Sequence, residues 1–150
     1  MEPRISLVTL GVSDLAHAKA FYEQLGWVGQ EEQETVFVQA GGLALVLWGR
    51  DKLAQDCGLD DAGPPATGRF GGIVLAHNVR TPGEVDEIVA AAQRAGAAVT
   101  RAPAATFYGG YAGVFTDPDG HPWEIACNPG FPLAEDGTIT IPDMRGAAGG

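Results

Sequence analysis

The residues of this chain best placed to do chemistry lie in one stretch, GGYAGVFTDPDGHPWEIACNPGF, residues 109–131. At its centre Asp117-Pro118-Asp119-Gly120 is a reversal signal. Pro118 fixes φ for a first turn position, Asp119 tolerates the second, and Gly120 accepts a left-handed conformation. Side chains of the returning segment 121–127 alternate between faces, so Pro122, Glu124 and Ala126 share one side while Trp123, Ile125 and Cys127 share the other. Glu124 is thus a single carboxylate among apolar neighbours. A group in that position needs an ion-pair partner, a raised pKa or a solvated cleft. It is either a working acid, base or ligand contact, or a half-exposed strand residue that faces water.

Other reactive types are sparse. His17 falls on the solvent side of a helix pattern, while His77 at a strand exit and His121 after the turn read as loop-edge histidines. Cys57 and Cys127 have neither a CxxC nor a Cys-His spacing, so no zinc finger or disulfide framework is indicated, and two reduced thiols point to the cytoplasm. The net charge of -10, with only nine Lys and Arg in 150 residues, leaves no basic patch for nucleic acid or an anionic membrane. No run reaches transmembrane length, and residues 1–4 lead into strand-like sequence without a leader pattern, so export is not expected. Nor is there a nucleotide-binding glycine fingerprint or a nucleophile elbow.

The elements that must position Glu124 follow from periodicity. Residues 5–12 read as a buried strand on which Val8, Leu10 and Val12 share the face a helix would cover. Ser13 or Asp14 caps that helix; Leu15, Ala18, Phe21, Tyr22 and Leu25 form its apolar stripe and Gly26 ends it. Residues 27–31, 34–40 and 43–48 follow as short strands. A linker rich in Gly and Pro spans about 51–69, with a short helical turn at 51–55. The pattern then restarts: a strand at 71–77, a helix opened by Thr81-Pro82-Gly83-Glu84 with a capping box, and strands at 98–101, 111–116 and 122–127. The order is βαβββ twice. The predicted fold is α+β, two paired modules (about 5–50 and 70–128) within one domain, residues 1–130. An extension, 131–150, contributes a turn and one short strand before residues 145–150 fray.

The terminal hairpin and the repeated order resemble the vicinal oxygen chelate superfamily, which includes glyoxalase I, extradiol dioxygenases, and bleomycin- and fosfomycin-resistance proteins. The resemblance covers roughly residues 5–127. It implies that the two sheets form a curved cup with helices on the outer faces. In metal-dependent members a His or Glu on each of the first, fourth, fifth and eighth strands holds the cation. Carried onto this chain, those positions fall on Leu7, Val46, Gly72 and Glu124. Three of the four lack a donor atom, so no metal or other cofactor is expected.

What the resemblance then implies is an apolar cup lined by Leu7, Val46, Trp48, Gly72, Val74 and Ala76, with Glu124 as its one acid. Phe107, Tyr108 and Tyr111, flanked by Gly109-Gly110, form either a mobile aromatic rim or part of the core or a dimer contact. Two classes of function remain open. One is a metal-free, bleomycin-resistance-like protein binding a small apolar or aromatic molecule. The other is a lyase, isomerase or dioxygenase-type enzyme of the same superfamily, metal-dependent or using Glu124 as acid/base. A homodimer is expected in either case.

Overall fold

The computed structural model describes residues 1–61, 63 and 69–144; the expected fraying at 145–150 and most of the linker's Gly and Pro lie outside them. Two four-stranded mixed sheets are built on the same plan. In the first, β1 (Leu7–Val12), β2 (Gln30–Glu32), β3 (Thr35–Ala40) and β4 (Leu43–Gly49) lie in the order β1-β4-β3-β2. In the second, β5 (Leu75–Asn78), β6 (Ala98–Ala105), β7 (Tyr111–Thr116) and β8 (Pro122–Cys127) lie in the order β5-β8-β7-β6. Within each sheet the first and last strands run parallel and the others antiparallel. Helices α1 (Leu15–Gln24) and α3 (Pro82–Arg94) make the crossovers, and the helical turn expected at 51–55 is α2 (Arg50–Asp56). The two sheets share no ladder, so β1 and β5 each keep one open edge among the described residues.

The helix boundaries follow their caps. Asp14 is the N-cap of α1, accepting the backbone N–H of His17 at 2.9 Å, and Gly26 leaves the helix at φ +86°. Thr81 and Glu84 close a full capping box on α3, with Pro82 in its first turn.

Some strand ends differ from the sequence reading, each for a local reason. Residues 27–29 are outside β2: a side chain on Gly29 would come within 2.8 Å of Val36 and Val38, so the chain passes too close to β3 to form an ordinary ladder there. Gly72, at φ +92°, delays β5 to Leu75. Past Arg101, β6 continues to Ala105 through Pro103, which an edge strand tolerates and which Gly113 lets approach closely. The strand expected in 136–142 is only a single bridge, Leu133 to Ile139.

Both sheets contribute to one core. Leu10, Val12, Val36, Leu45 and Leu47 on the covered face of the first join Phe115, Trp123 and Ile125 on the covered face of the second, with Val85, Val89 and Ala92 from α3. Helix α1 bridges the modules: Phe21 meets Phe115 edge-on at 6.5 Å between ring centroids, and Tyr22 lies 6.1 Å from Trp123. Each such ring adds roughly 1.5–3 kcal/mol through burial.

A polar chain runs through this contact. Trp123 Nε1 donates to the Tyr22 hydroxyl at 3.1 Å, which donates to Asp117 Oδ2 at 2.6 Å. Asp117, only 4% exposed, also accepts the backbone N–H groups of Asp119 (3.0 Å) and His121 (2.8 Å) and faces His121 Nδ1 at 2.9 Å. Asp119 in turn accepts from Ser13 N and Oγ, both at 2.8 Å. The Asp-Pro-Asp-Gly turn thus clamps the approach to α1 and its last turn. Burial pushes the Asp117 acid up, but the hydrogen bond and charge of His121, with the Tyr22 hydroxyl and backbone, outweigh it and hold the acid below its ordinary range. Burial and the Asp117 charge drive the Tyr22 phenol far upward.

Because the folded acid is the stronger one, its stabilisation is full above the ordinary aspartate value of 3.8 and fades as pH falls through the lower folded value. Asp117→Asn is expected to cost roughly 1.5–3 kcal/mol near neutrality, measured by urea unfolding. The gap from wild type should narrow below about pH 4. A gap constant down to pH 2 would show that the ionised carboxylate is not what holds the turn.

Candidate functional site

Glu124 lies mid-strand in β8, on the face of the second sheet turned away from α3. Cross-strand registry puts Ala76, Glu124, Val114 and Arg101 in one row from β5 to β6. Arg101 reaches over Val114 and donates from NH2 to Glu124 Oε2 at 3.1 Å. Both side chains remain accessible, 54% for Arg101 and 33% for Glu124.

Arg101 was not a candidate from the sequence because a β-bulge puts it there. Val99 pairs with Phe115, so regular pairing would set Thr100 opposite Val114; one extra residue gives that place to Arg101. In an unbroken strand Arg101 would point to the covered face.

Glu124 borders a cleft of about 1240 Å³ between the two modules. Trp27, Leu75, Ile88 and Trp123 supply an apolar wall, and Trp27 meets Trp123 edge-on at 5.4 Å. His77, Asn78 and Asn128 join Glu124 as polar groups. Partial burial lowers the His77 pKa, with the Glu84 carboxylate opposing. The far side is closed by the C-terminal extension, whose Leu133 and Ile139 face the cleft while Arg80 NH2 donates to the Ala134 and Glu135 carbonyls at 2.6 and 3.3 Å.

Of the other candidates, Tyr108 lies in this cleft with Glu124. Leu7, Val46 and Trp48 lie instead on the uncovered face of the first sheet, where Leu7 is exposed and Val46 buried. Gly72 and Val74 are exposed in the irregular approach to β5, and Phe107 is fully exposed with its ring packed on Tyr108 at 5.3 Å. Tyr111 packs against the core from the covered side, and its hydroxyl donates to Asp86 of α3 at 2.9 Å; that bond raises its pKa. Trp27, His77, Asn78 and Trp123, which the sequence reading did not place in a site, line the cleft because of how α1 docks on the second module.

A family model, the Glyoxalase/Bleomycin resistance protein/Dioxygenase superfamily, matches residues 4–125. The chain belongs to this superfamily. It is similar to a glyoxalase-related enzyme from Fulvimarina pelagi, with 37% identity, 93% of this chain and 98% of that one covered, and a TM-score of 0.82. A family enzyme from Burkholderia phytofirmans PsJN shares 25% identity over 81% of this chain and 96% of its own, with a TM-score of 0.66. The lactoylglutathione lyase of Agrobacterium tumefaciens, at 23% identity over 83% and 92% and a TM-score of 0.59, shares the fold. No curated protein sequence matches significantly.

The residues that the resemblance assigned to metal positions offer a cation few donors. Leu7, Val46 and Gly72 bring no side-chain donor, and Glu124 is held by Arg101. Among the described residues no three His, Cys, Asp or Glu side chains converge as ligands.

An accessible pair of this kind contributes little to folding. A double-mutant cycle on Arg101→Met and Glu124→Gln is expected to give a coupling below about 1 kcal/mol. A coupling several times larger would mark the pair as structural.

Proposed function

We propose that this chain is a metal-free, small-molecule-binding member of the superfamily, bleomycin-resistance-like, acting in the cytoplasm as a homodimer. The ligand has an apolar or aromatic body. The observation that carries the reading is the cleft itself, in which the Trp27 and Trp123 rings back a concave apolar wall and Glu124 stands at the rim in an accessible pair with Arg101. Ligand sites combine apolar walls with a few converging polar groups in this way. Burial supplies affinity, at roughly 25 cal/mol per Å², while Glu124 supplies orientation. At about 1240 Å³ the space exceeds what a drug-sized molecule fills, leaving room for a second subunit to narrow it.

The dimer reading rests on the open edges of β1 and β5 and on exposed apolar residues along them, including Ile5, Leu7, Ile73 and Val74. Open edges and exposed apolar side chains together favour pairing with another chain. The cytoplasmic assignment rests on two cysteines left as free thiols. No helix among the described residues is long and apolar enough to cross a membrane.

One observation favours a second reading: the similar Fulvimarina pelagi protein is a glyoxalase-related enzyme. Here Glu124 would serve as acid/base toward a bound substrate. Mass spectrometry of a bound ligand after incubation separates the readings, since only an enzyme converts it.

Three outcomes are expected. Glu124→Gln should weaken binding of a ligand found by thermal-shift screening by about tenfold or more, roughly 1.4 kcal/mol, with Tm nearly unchanged; a destabilised variant with unaltered affinity would remove Glu124 from the site. Adding Mn, Ni or Zn should leave Tm in place, whereas a tight site at a hundredfold excess over Kd would add about 2.7 kcal/mol. Sedimentation at micromolar concentration should show a dimer, and monomer alone would refute that assignment.

A further inference from the structure

A second cavity, of about 180 Å³, adjoins the cleft between the end of α1 and the middle of α3. Tyr22, Trp27, Ile88, Phe115 and Trp123 make its walls and His77 its polar edge. Trp27, His77, Ile88 and Trp123 border both spaces, whereas Glu124 borders only the larger one. Protein interiors leave few voids larger than a water molecule. An apolar cavity of roughly 150 Å³ is enough to stay dry and admit benzene.

The polar atoms in these walls are mostly spoken for. The Trp123 indole N–H is bonded to the Tyr22 hydroxyl, which is bonded to Asp117. Water would therefore find few partners here, and an aromatic ring would find four others, Tyr22, Trp27, Phe115 and Trp123, with Trp123 set at 57° to Tyr22 and 65° to Trp27. Among the described residues no hydrogen bond engages the His77 side chain, which leaves its imidazole for one polar substituent on the ring.

We propose that this inter-helix pocket is a binding site for a single aromatic ring of phenol or indole size, its polar group directed to His77 and its faces and edges packed on Trp27 and Trp123. The site shares Trp27, Ile88 and Trp123 with the larger cleft but does not reach Glu124, and it extends beyond that reading.

Calorimetric titration with p-cresol and with indole tests the assignment. Wild type should bind at least one of them saturably. Ala91→Leu, which fills the cavity from α3, should weaken that binding tenfold or more, and Glu124→Gln should change it less than twofold. Xenon-pressurised crystals of the wild-type protein give a reading that needs no variant, with density expected between Trp27 and Phe115. Binding abolished by Glu124→Gln but kept in Ala91→Leu would put the ring in the outer cleft and overturn the proposal, while leaving the Glu124 site intact. Absence of both xenon density and saturable binding at millimolar ring concentration would overturn it equally.

Discussion

A carboxylate buried at a turn sets the relation between the two halves of this protein. Asp117 has almost no contact with solvent, yet it is charged and needs several donors at once. Two come from its own turn, one from His121 and one from Tyr22 on the helix of the other module. Removing the Tyr22 hydroxyl would leave both the Trp123 indole N–H and one carboxylate position short of a partner. The helix is therefore fixed in rotation and along its axis, which Phe21 and Ala18 burial alone would do only loosely. Asp119 adds a second anchor at Ser13, where the first strand hands over to the helix.

The consequence for the site is geometric. With α1 packed on β3 and β4 and its Phe21 and Tyr22 rings against Phe115 and Trp123, the segment that follows it brings Trp27 against Trp123. The β3–β4 hairpin, including Gln39 to Leu43, then forms the opposite bank of the cleft. Among the described residues β1 and β5 have no hydrogen-bonded strand on their outer sides. One interface inside the chain thus creates the concave space. Neither module alone would contain the cleft.

Much of the fold was legible because the signals were local. The Asp-Pro-Asp-Gly reversal, the Thr81–Glu84 capping box, the glycine after each long helix and the alternation in β7 and β8 each depend on residues a few positions apart. The site was less legible because its determinants are not local. Alternation placed Glu124 on the right face, but its partner Arg101 is on that face only through a bulge, and nothing in the Ala98–Ala105 sequence marks where the extra residue enters. Trp27 and Trp123 read as ordinary apolar residues of two strands; their meeting requires α1 to cross between modules. Tyr111, which its flanking glycines left open between a rim and the core, pairs opposite Cys127 on the covered side and bonds to α3.

The Arg101 pairing also changes what Glu124 is suited to do. A carboxylate sealed in an apolar cup would resist ionisation and favour proton transfer. A carboxylate held 3.1 Å from a guanidinium that is itself half accessible has only a weak grip on its partner. On the proposed function, a ligand donating a hydrogen bond or a positive charge to Glu124 would displace Arg101 at small cost, because the exposed cation regains water as it leaves. Such an exchange would rearrange one row of side chains across three strands, apart from the buried Asp117 clamp. The chain thus separates a rigid, buried charge that fixes its architecture from an accessible charge pair on the surface of the second sheet.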